Sequence, residues 1–302
     1  MEKRLGYIGL GKMGLNMVMR LRECGYDIVV SDQNAEAMDK GVAAGARRAD
    51  SIAKLTEALI APRVVWVMVP HAAVDSVVEA LAQHLSPGDI VIDGGNSYYR
   101  DSIRRGDMLS AKEISFIDAG ISGGPVGARD GACVMVGGVD ATVQKCEGLF
   151  RDVAAQDAYA HVGTRGAGHF VKMVHNGIEY GMMQAIAEGF SVLKAAEFEL
   201  DLKRVANLYN HQSVITSRLV GWLKNAYEVY GQDLEDISDV VEQTGEGMWT
   251  RGAAQQLGVP TPVLEAAIKF REESAQVDRY ADRILSALRN QFGGHSASST
   301  QS

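Results

Sequence analysis

Between residues 5 and 30 the chain runs through a strand, a glycine-rich turn, a helix and a second strand without interruption, and few folds accept that order. Leu5 to Ile8 form a short apolar run suited to a buried strand. The run enters Gly9-Leu10-Gly11-Lys12-Met13-Gly14, followed by the helical pattern of Met13 to Cys24 and a second strand at Asp27 to Val30. A lone G-x-G-x-x-G carries little weight; with a strand before it and a helix after it, the motif marks a dinucleotide-binding βαβ unit. The first two glycines permit a tight turn and close backbone approach to a pyrophosphate, and the third lets helix and strand pack. Free N–H groups and the helix dipole at the start of the helix then favour the phosphates.

The second strand ends at Ser31-Asp32, about twenty residues beyond the glycines, where a carboxylate can accept both ribose hydroxyls. It would repel a 2′-phosphate, and no Lys or Arg follows before Lys40, so NAD is expected over NADP. The competing reading makes Asp32 the cap of the next helix. Alternation continues with a strand from Val64 to Val69, a helix from Ala72 to His84, a turn at Ser86-Pro87-Gly88 and a strand from Ile90 to Ile92. This predicts a doubly wound α/β, Rossmann-type sheet. Ligands bind beyond the carboxyl ends of such strands, which places Val69, Pro70-His71 and Asp93-Gly94-Gly95-Asn96-Ser97 beside the cofactor and substrate. The strand Ile114 to Asp118 leads into Ala119-Gly120-Ile121-Ser122-Gly123-Gly124-Pro125, read as a small-residue loop whose amides can reach an anion. A strand at Ala132 to Val136, a helix from Asp140 to about Arg151 and a strand at Tyr159 to Val162 complete this half, with the domain junction at Gly163 to Gly168.

From His169 to about Glu197 there is no proline and much Ala, Met, Leu and Glu, which predicts one long helix. On it Lys172, His175, Asn176, Glu179 and Tyr180 stand at i, i+3, i+4, i+7 and i+8, a single polar stripe. A solvated face is the plain alternative, but the stripe is flanked by Phe170, Val171, Met173, Val174, Met182 and Met183. Further helices are expected from Asp201 to about Leu223, Leu234 to Val241, Thr250 to Leu257 and Leu264 to Arg289, so the second half reads as all-α. The expected division is a dinucleotide domain over 1–164, a helical substrate and dimerisation domain over 165–290 and a tail over 291–302.

A chain of 302 residues is long enough for two cores. Its net charge of −8 argues against nucleic acid or an anionic membrane as partner, since both need a broad basic surface. No run of 18 apolar residues predicts a membrane span, and the glycines that interrupt the apolar N-terminal stretch argue against a signal peptide. Cys24, Cys133 and Cys146 form no C-x-x-C pair and read as packing residues in a reducing, cytoplasmic setting.

A Rossmann half followed by a helical half with a lysine on its first long helix resembles the β-hydroxyacid dehydrogenase superfamily. Within it D-G-G-N-S at Asp93 to Ser97, I-S-G-G at Ile121 to Gly124 and K-M-V-H-N-G-I-E-Y at Lys172 to Tyr180 resemble the decarboxylating 6-phosphogluconate dehydrogenase family, in a short form. M-W-T at Met248, G-V-P at Gly258 and F-G-G-H at Phe292 extend the likeness over the whole chain. The resemblance implies oxidative decarboxylation of 6-phosphogluconate with NAD and no metal. Lys172 would be general base and then acid, and Glu179 the acid that protonates carbon. Asn96, Ser122, Gly123, Gly124, His175 and Asn176 would hold the sugar acid, and Tyr180 and Arg271 its phosphate. Arg289 and His295 match a tail that in the family enters the partner subunit's site, implying a homodimer with a tetramer left open. Where the family's long form carries a phosphate-binding lysine, this chain has Thr244. A base at Lys172 must be neutral, so its ordinary pKa of about 10.4 has to be lowered by burial or by cations such as His175 and Arg271. Two alternatives stand beside this one: a non-decarboxylating 3-hydroxyacid dehydrogenase, and a dinucleotide-binding protein without turnover.

Overall fold

The computed structural model describes residues 3–241 and 245–294. Eight strands, β1 (Arg4–Ile8), β2 (Asp27–Ser31), β3 (Arg47–Arg48), β4 (Val64–Val67), β5 (Ile90–Asp93), β6 (Ser115–Ser122), β7 (Ala132–Gly137) and β8 (Ala154–Gly163), form one sheet. Its order is β3-β2-β1-β4-β5-β6-β7-β8; the first six are parallel, β7 runs antiparallel to β6, and β8 is parallel to β7. Strand order reverses between β1 and β4, where a doubly wound sheet opens a crevice for ligand.

Helices α1 (Lys12–Glu23), α2 (Ala35–Ala43), α3 (Ile52–Glu57), α4 (His71–His84), α5 (Tyr99–Ser110), α6 (Gly124–Asp130) and α7 (Asp140–Val153) connect the strands. The sheet is covered on both faces, so its central strands are apolar without break, as in Val64–Val67 where every residue is buried. Alternate residues then feed different cores: Leu5, Tyr7 and Trp66 lie in one, and Ile8, Val65 and Val67 in the other. In the first core Tyr7 stacks on Trp66 with ring centroids 6.2 Å apart.

The helical half consists of α8 (Ala167–Ala195), α9 (Leu202–Tyr209), α10 (Arg218–Tyr230), α11 (Glu246–Leu257), α12 (Pro262–Glu273) and α13 (Tyr280–Gly293). Among the described residues it has its own core, with Phe190 of α8, Leu223 of α10 and Leu288 of α13 at its centre. By compactness the chain divides at Lys172/Met173, within α8, so the first turn and a half of that helix belongs to the sheet unit.

Three helix expectations need correction. The helix expected over Asp201 to Leu223 is two, because Ser217 starts α10 by accepting the Val220 N–H at 3.2 Å. The stretch Leu234 to Val241 is one turn, closed by the Ile237 N–H on the Leu234 carbonyl at 3.1 Å, followed by irregular chain; Leu234, Ile237 and Val241 are nevertheless buried, and their 3- and 4-residue spacing imitates a helical stripe. Leu264 to Arg289 is interrupted between α12 and α13, where Arg279 bonds Asp282 at 2.8 Å and the Phe270 carbonyl at 2.9 Å. A fourth correction concerns Ala119 to Ser122, which continue β6 rather than form a loop. Cys146 is buried as expected, but Cys133 is exposed on β7.

Candidate active site

At the end of β1 the chain turns through Gly9, whose φ of +100° favours glycine. A Cβ there would lie 2.3 Å from the Met68 carbonyl oxygen, and one on Gly14 would lie 2.0 Å from that of Gly9. Nothing comes within 4 Å of the same position on Gly11. Gly9 is therefore pressed against the chain leaving β4, Gly14 against Gly9 itself, and the loop is open at Gly11. Gly11 leads into α1, which has no side-chain cap and no acidic residue in its first turn. Tight packing below, open space above and a positive helix end fit the pyrophosphate of a nicotinamide dinucleotide. Leu10, Lys12 and Met13 complete this turn, and the Val69 side chain is 2.9 Å from the Gly9 Cβ position. Pro70 precedes α4. Asp32 accepts the Leu10 N–H at 2.6 Å and the Asn34 N–H at 2.7 Å. Asn34, not Asp32, caps α2, accepting from Ala37 at 3.0 Å.

Beyond β5 the loop carrying Asn96 is held from beneath. Asp93, wholly buried, accepts from Ser97 Oγ at 2.8 Å, from the Gly95 N–H at 3.1 Å and from Arg105 at 3.2 Å. Arg105 also donates to Ser97 Oγ and to Asp75, at 2.9 and 2.7 Å. A carboxylate and a guanidinium locked together in this way leave Asn96 exposed on a fixed turn.

The start of α8 lies directly on the sheet. Asp118 of β6, wholly buried, accepts the N–H groups of Gly166 and His169 at 2.6 and 2.9 Å, the amides that a helix N-terminus leaves without internal partners. Burial pushes the Asp118 carboxyl above the usual carboxylate range, while His169 and the two amides pull the other way. Glycines make the approach possible: a Cβ on Gly120 would meet the Lys172 Cβ at 2.4 Å, and one on Gly168 would meet the Asp118 carbonyl oxygen at 2.5 Å. Lys172, half-buried, thus stands against β6 two residues from Ser122, where Gly123 and Gly124 turn with φ of +133° and +63° into α6.

In the helical unit the rest of the stripe is half-buried or buried, unlike a solvated face. The flanking residues divide, with Met173 and Met183 buried and Val171 and Met182 exposed. His175 Nδ1 lies 2.9 Å from Asn176 Oδ1 and 3.9 Å from Glu179 Oε2. Tyr180, 7% exposed, lies face-on to Arg271, whose guanidinium carbon is 3.7 Å from the ring centroid. Arg271 is 4% exposed; its Nε has no hydrogen-bond partner and its Nη2 reaches the Met183 sulfur at 3.6 Å. Burial lowers the Arg271 pKa and raises that of Tyr180, and Arg289, also buried, adds a second positive charge near both. Among the described residues no carboxylate forms an ion pair with Arg271, which leaves a buried cation suited to an anionic ligand.

Two family models match the chain: the NAD binding domain of 6-phosphogluconate dehydrogenase over residues 4–163, and the C-terminal domain of 6-phosphogluconate dehydrogenase over 168–301. The chain belongs to the 6-phosphogluconate dehydrogenase family. It is 40% identical to the Haloferax volcanii 6-phosphogluconate dehydrogenase named as NAD(+)-dependent and decarboxylating, over 97% of each chain. The Escherichia coli (strain K12) decarboxylating 6-phosphogluconate dehydrogenase is 31% identical over 98% of this chain and 67% of its own. The solved Plasmodium falciparum 6-phosphogluconate dehydrogenase superposes with a TM-score of 0.79 at 26% identity, over 96% of this chain and 70% of that one. The chain thus spans nearly the whole length of the haloarchaeal relative and about two thirds of the other two.

As a member of the decarboxylating 6-phosphogluconate dehydrogenase family, the chain has a nicotinamide dinucleotide cofactor and a phosphorylated sugar acid as its substrate class. No helix among the described residues is long and apolar enough to cross a membrane, and no cluster of potential metal ligands occurs among them. Thr244 and His295 lie outside the described residues. Arg289 lies on α13, within electrostatic reach of Tyr180 and Arg271 of its own chain. Sequence reasoning missed Arg105, Asp118 and Glu246. Arg105 and Glu246 each sit in an ordinary charged helix sequence, and only burial, at 3% and 5% exposure, reveals that they face inward.

Proposed function

We propose that this chain oxidises 6-phospho-D-gluconate with NAD and releases CO₂ to give ribulose 5-phosphate, serving the pentose phosphate and gluconate pathways in the cytoplasm as a homodimer or a pair of homodimers. The α8 stripe carries the reading, since it joins a lysine packed against β6 to a carboxylate two turns later on the same helix. When bound, the nicotinamide supplies the hydride acceptor. Lys172 takes the proton of the β-hydroxyl as the ketone forms and returns a proton to that oxygen as CO₂ departs. Glu179 delivers a proton to the enol carbon. Asn96, Ser122, Gly123, Gly124, His175 and Asn176 orient the sugar acid. Tyr180, Arg271 and Arg289 take the phosphate, with His295 assigned to the tail that serves the partner subunit.

NAD preference is supported by the carboxylate of Asp32 at the end of β2, by the lack of a cation between it and Lys40, and by the name of the haloarchaeal relative. The NADP⁺ of the Plasmodium complex is that protein's own. Incubation with 6-phosphogluconate and each dinucleotide, following reduced cofactor, CO₂ and ribulose 5-phosphate, tests the reading. All three products with NAD, at higher kcat/KM than with NADP, are expected. Reduced cofactor without CO₂ would overturn decarboxylation, and an NADP preference would overturn the role of Asp32.

A further inference from the structure

Glu246 is the first residue of α11 and is 5% exposed. Its backbone is fixed on both sides. Thr250 Oγ1 donates within α11 or across to α8, lying 2.9 Å from the Glu246 carbonyl oxygen and 2.7 Å from that of Met173. A Cβ on the next residue, Gly247, would lie 2.6 Å from the Tyr180 ring. The carboxylate is thereby held beside the stripe, and its Oε1 lies 3.3 Å from Asn176 Nδ2.

A carboxylate accepts hydrogen bonds and does not donate them, so it fixes which end of a primary amide faces it. With the NH₂ of Asn176 turned to Glu246, the amide oxygen must face the other way, and it is this oxygen that lies 2.9 Å from His175 Nδ1. An amide oxygen only accepts, so Nδ1 must carry a proton. We propose that Glu246 is a positioning residue: whenever His175 is in its neutral form, Glu246 acts through Asn176 to keep the proton on Nδ1, which makes Nε2 the nitrogen able to accept from a substrate hydroxyl. The Glu179 carboxylate, 3.9 Å from the same Nδ1, favours the same tautomer. A sugar acid presents several hydroxyl donors, and an acceptor-only Nε2 is the form that receives one.

The tautomer can be read directly, whereas its effect on turnover rests on the function proposed above. In full-length protein labelled with ¹⁵N-histidine, the seven histidines are resolved by NMR and His175 is assigned from the signal lost in His175→Gln. Wild type is expected to carry its proton on Nδ1, and Glu246→Asp, still acceptor-only, to do the same. Glu246→Gln can donate as well as accept, which frees the Asn176 amide to turn over. Its His175 should show mixed tautomers, with KM for 6-phosphogluconate raised about tenfold, the scale of one ordinary hydrogen bond, and KM for the dinucleotide unchanged. A wild-type proton on Nε2, or the same tautomer and KM in Glu246→Gln, would overturn the proposal. Failure of wild type to turn over 6-phosphogluconate would instead remove the proposed function and leave the tautomer to decide this inference by itself.

Discussion

The sheet unit and the helical unit prepare their sites by different means. In the first, the decisive positions are backbone: Gly9, Gly14 and Gly120 are places where a single methyl group has no room, so main chain can approach main chain or ligand. In the second they are side chains from four helices, Tyr180 on α8, Glu246 on α11, Arg271 on α12 and Arg289 on α13, gathered in a buried cluster with two guanidinium groups. A dinucleotide offers a pyrophosphate that N–H groups and a helix end can meet. On the function proposed above, a substrate distinguished by its charge and hydroxyls needs directed side chains, whose desolvation is costly until the ligand arrives.

The contrast can be tested by mutation. Lys172→Met should have the largest effect, lowering kcat by about a thousandfold or more, within the usual range for loss of a general base. Dinucleotide affinity, measured by fluorescence titration, should stay within about twofold of wild type, because the proposed roles give the phosphates to the glycine loop and only proton transfer to Lys172. Near-normal turnover would remove Lys172 from the chemistry. Arg271→Met should raise KM for 6-phosphogluconate by about ten- to a hundredfold, the worth of charge-assisted hydrogen bonds. The same change should leave Tm level or higher, since it removes a buried cation whose Nε has no hydrogen-bond partner and which, among the described residues, has no carboxylate paired to it. A fall in both affinity and Tm would make Arg271 a structural residue.

Gly120→Ala sharpens the backbone side of the comparison. Its methyl would meet Lys172 Cβ at 2.4 Å, so α8 must move, at a cost of about 1–3 kcal/mol typical of overpacking. Thermal melts should show that loss together with a kcat decrease smaller than that of Lys172→Met, while KM for the dinucleotide holds. The mildest expected effect distinguishes the cysteines. Burial pushes the Cys146 thiol up to about 12, whereas Cys133 is exposed. At pH 8 a thiol reagent should modify Cys133 first and Cys146 only on unfolding; rapid labelling of Cys146 in the folded protein would contradict its burial.

Much of the sheet unit could be read from residue order alone. The strand, glycine turn and helix around Gly9 to Gly14 are adjacent in sequence, and so are the stripe residues Lys172 to Tyr180. Helix ends were harder. Leu234, Ile237 and Val241 keep helical spacing but fill the core from one turn and irregular chain, and Ser217 opens a new helix within a pattern that otherwise continues. Periodicity reports which residues are buried, and a turn can bury the same positions as a helix.

The sequence by itself determined the dinucleotide fold, the family and the residue types on one face of α8, because each is encoded by neighbours a few positions apart. Only tertiary structure decided that Arg105 locks the Asn96 loop, that Asp118 receives the first amides of α8, and that Glu246 faces Asn176 across 70 residues. Those contacts depend on burial and direction. A charged residue in a helix reads alike whether it faces water or a neighbour, until packing closes around it.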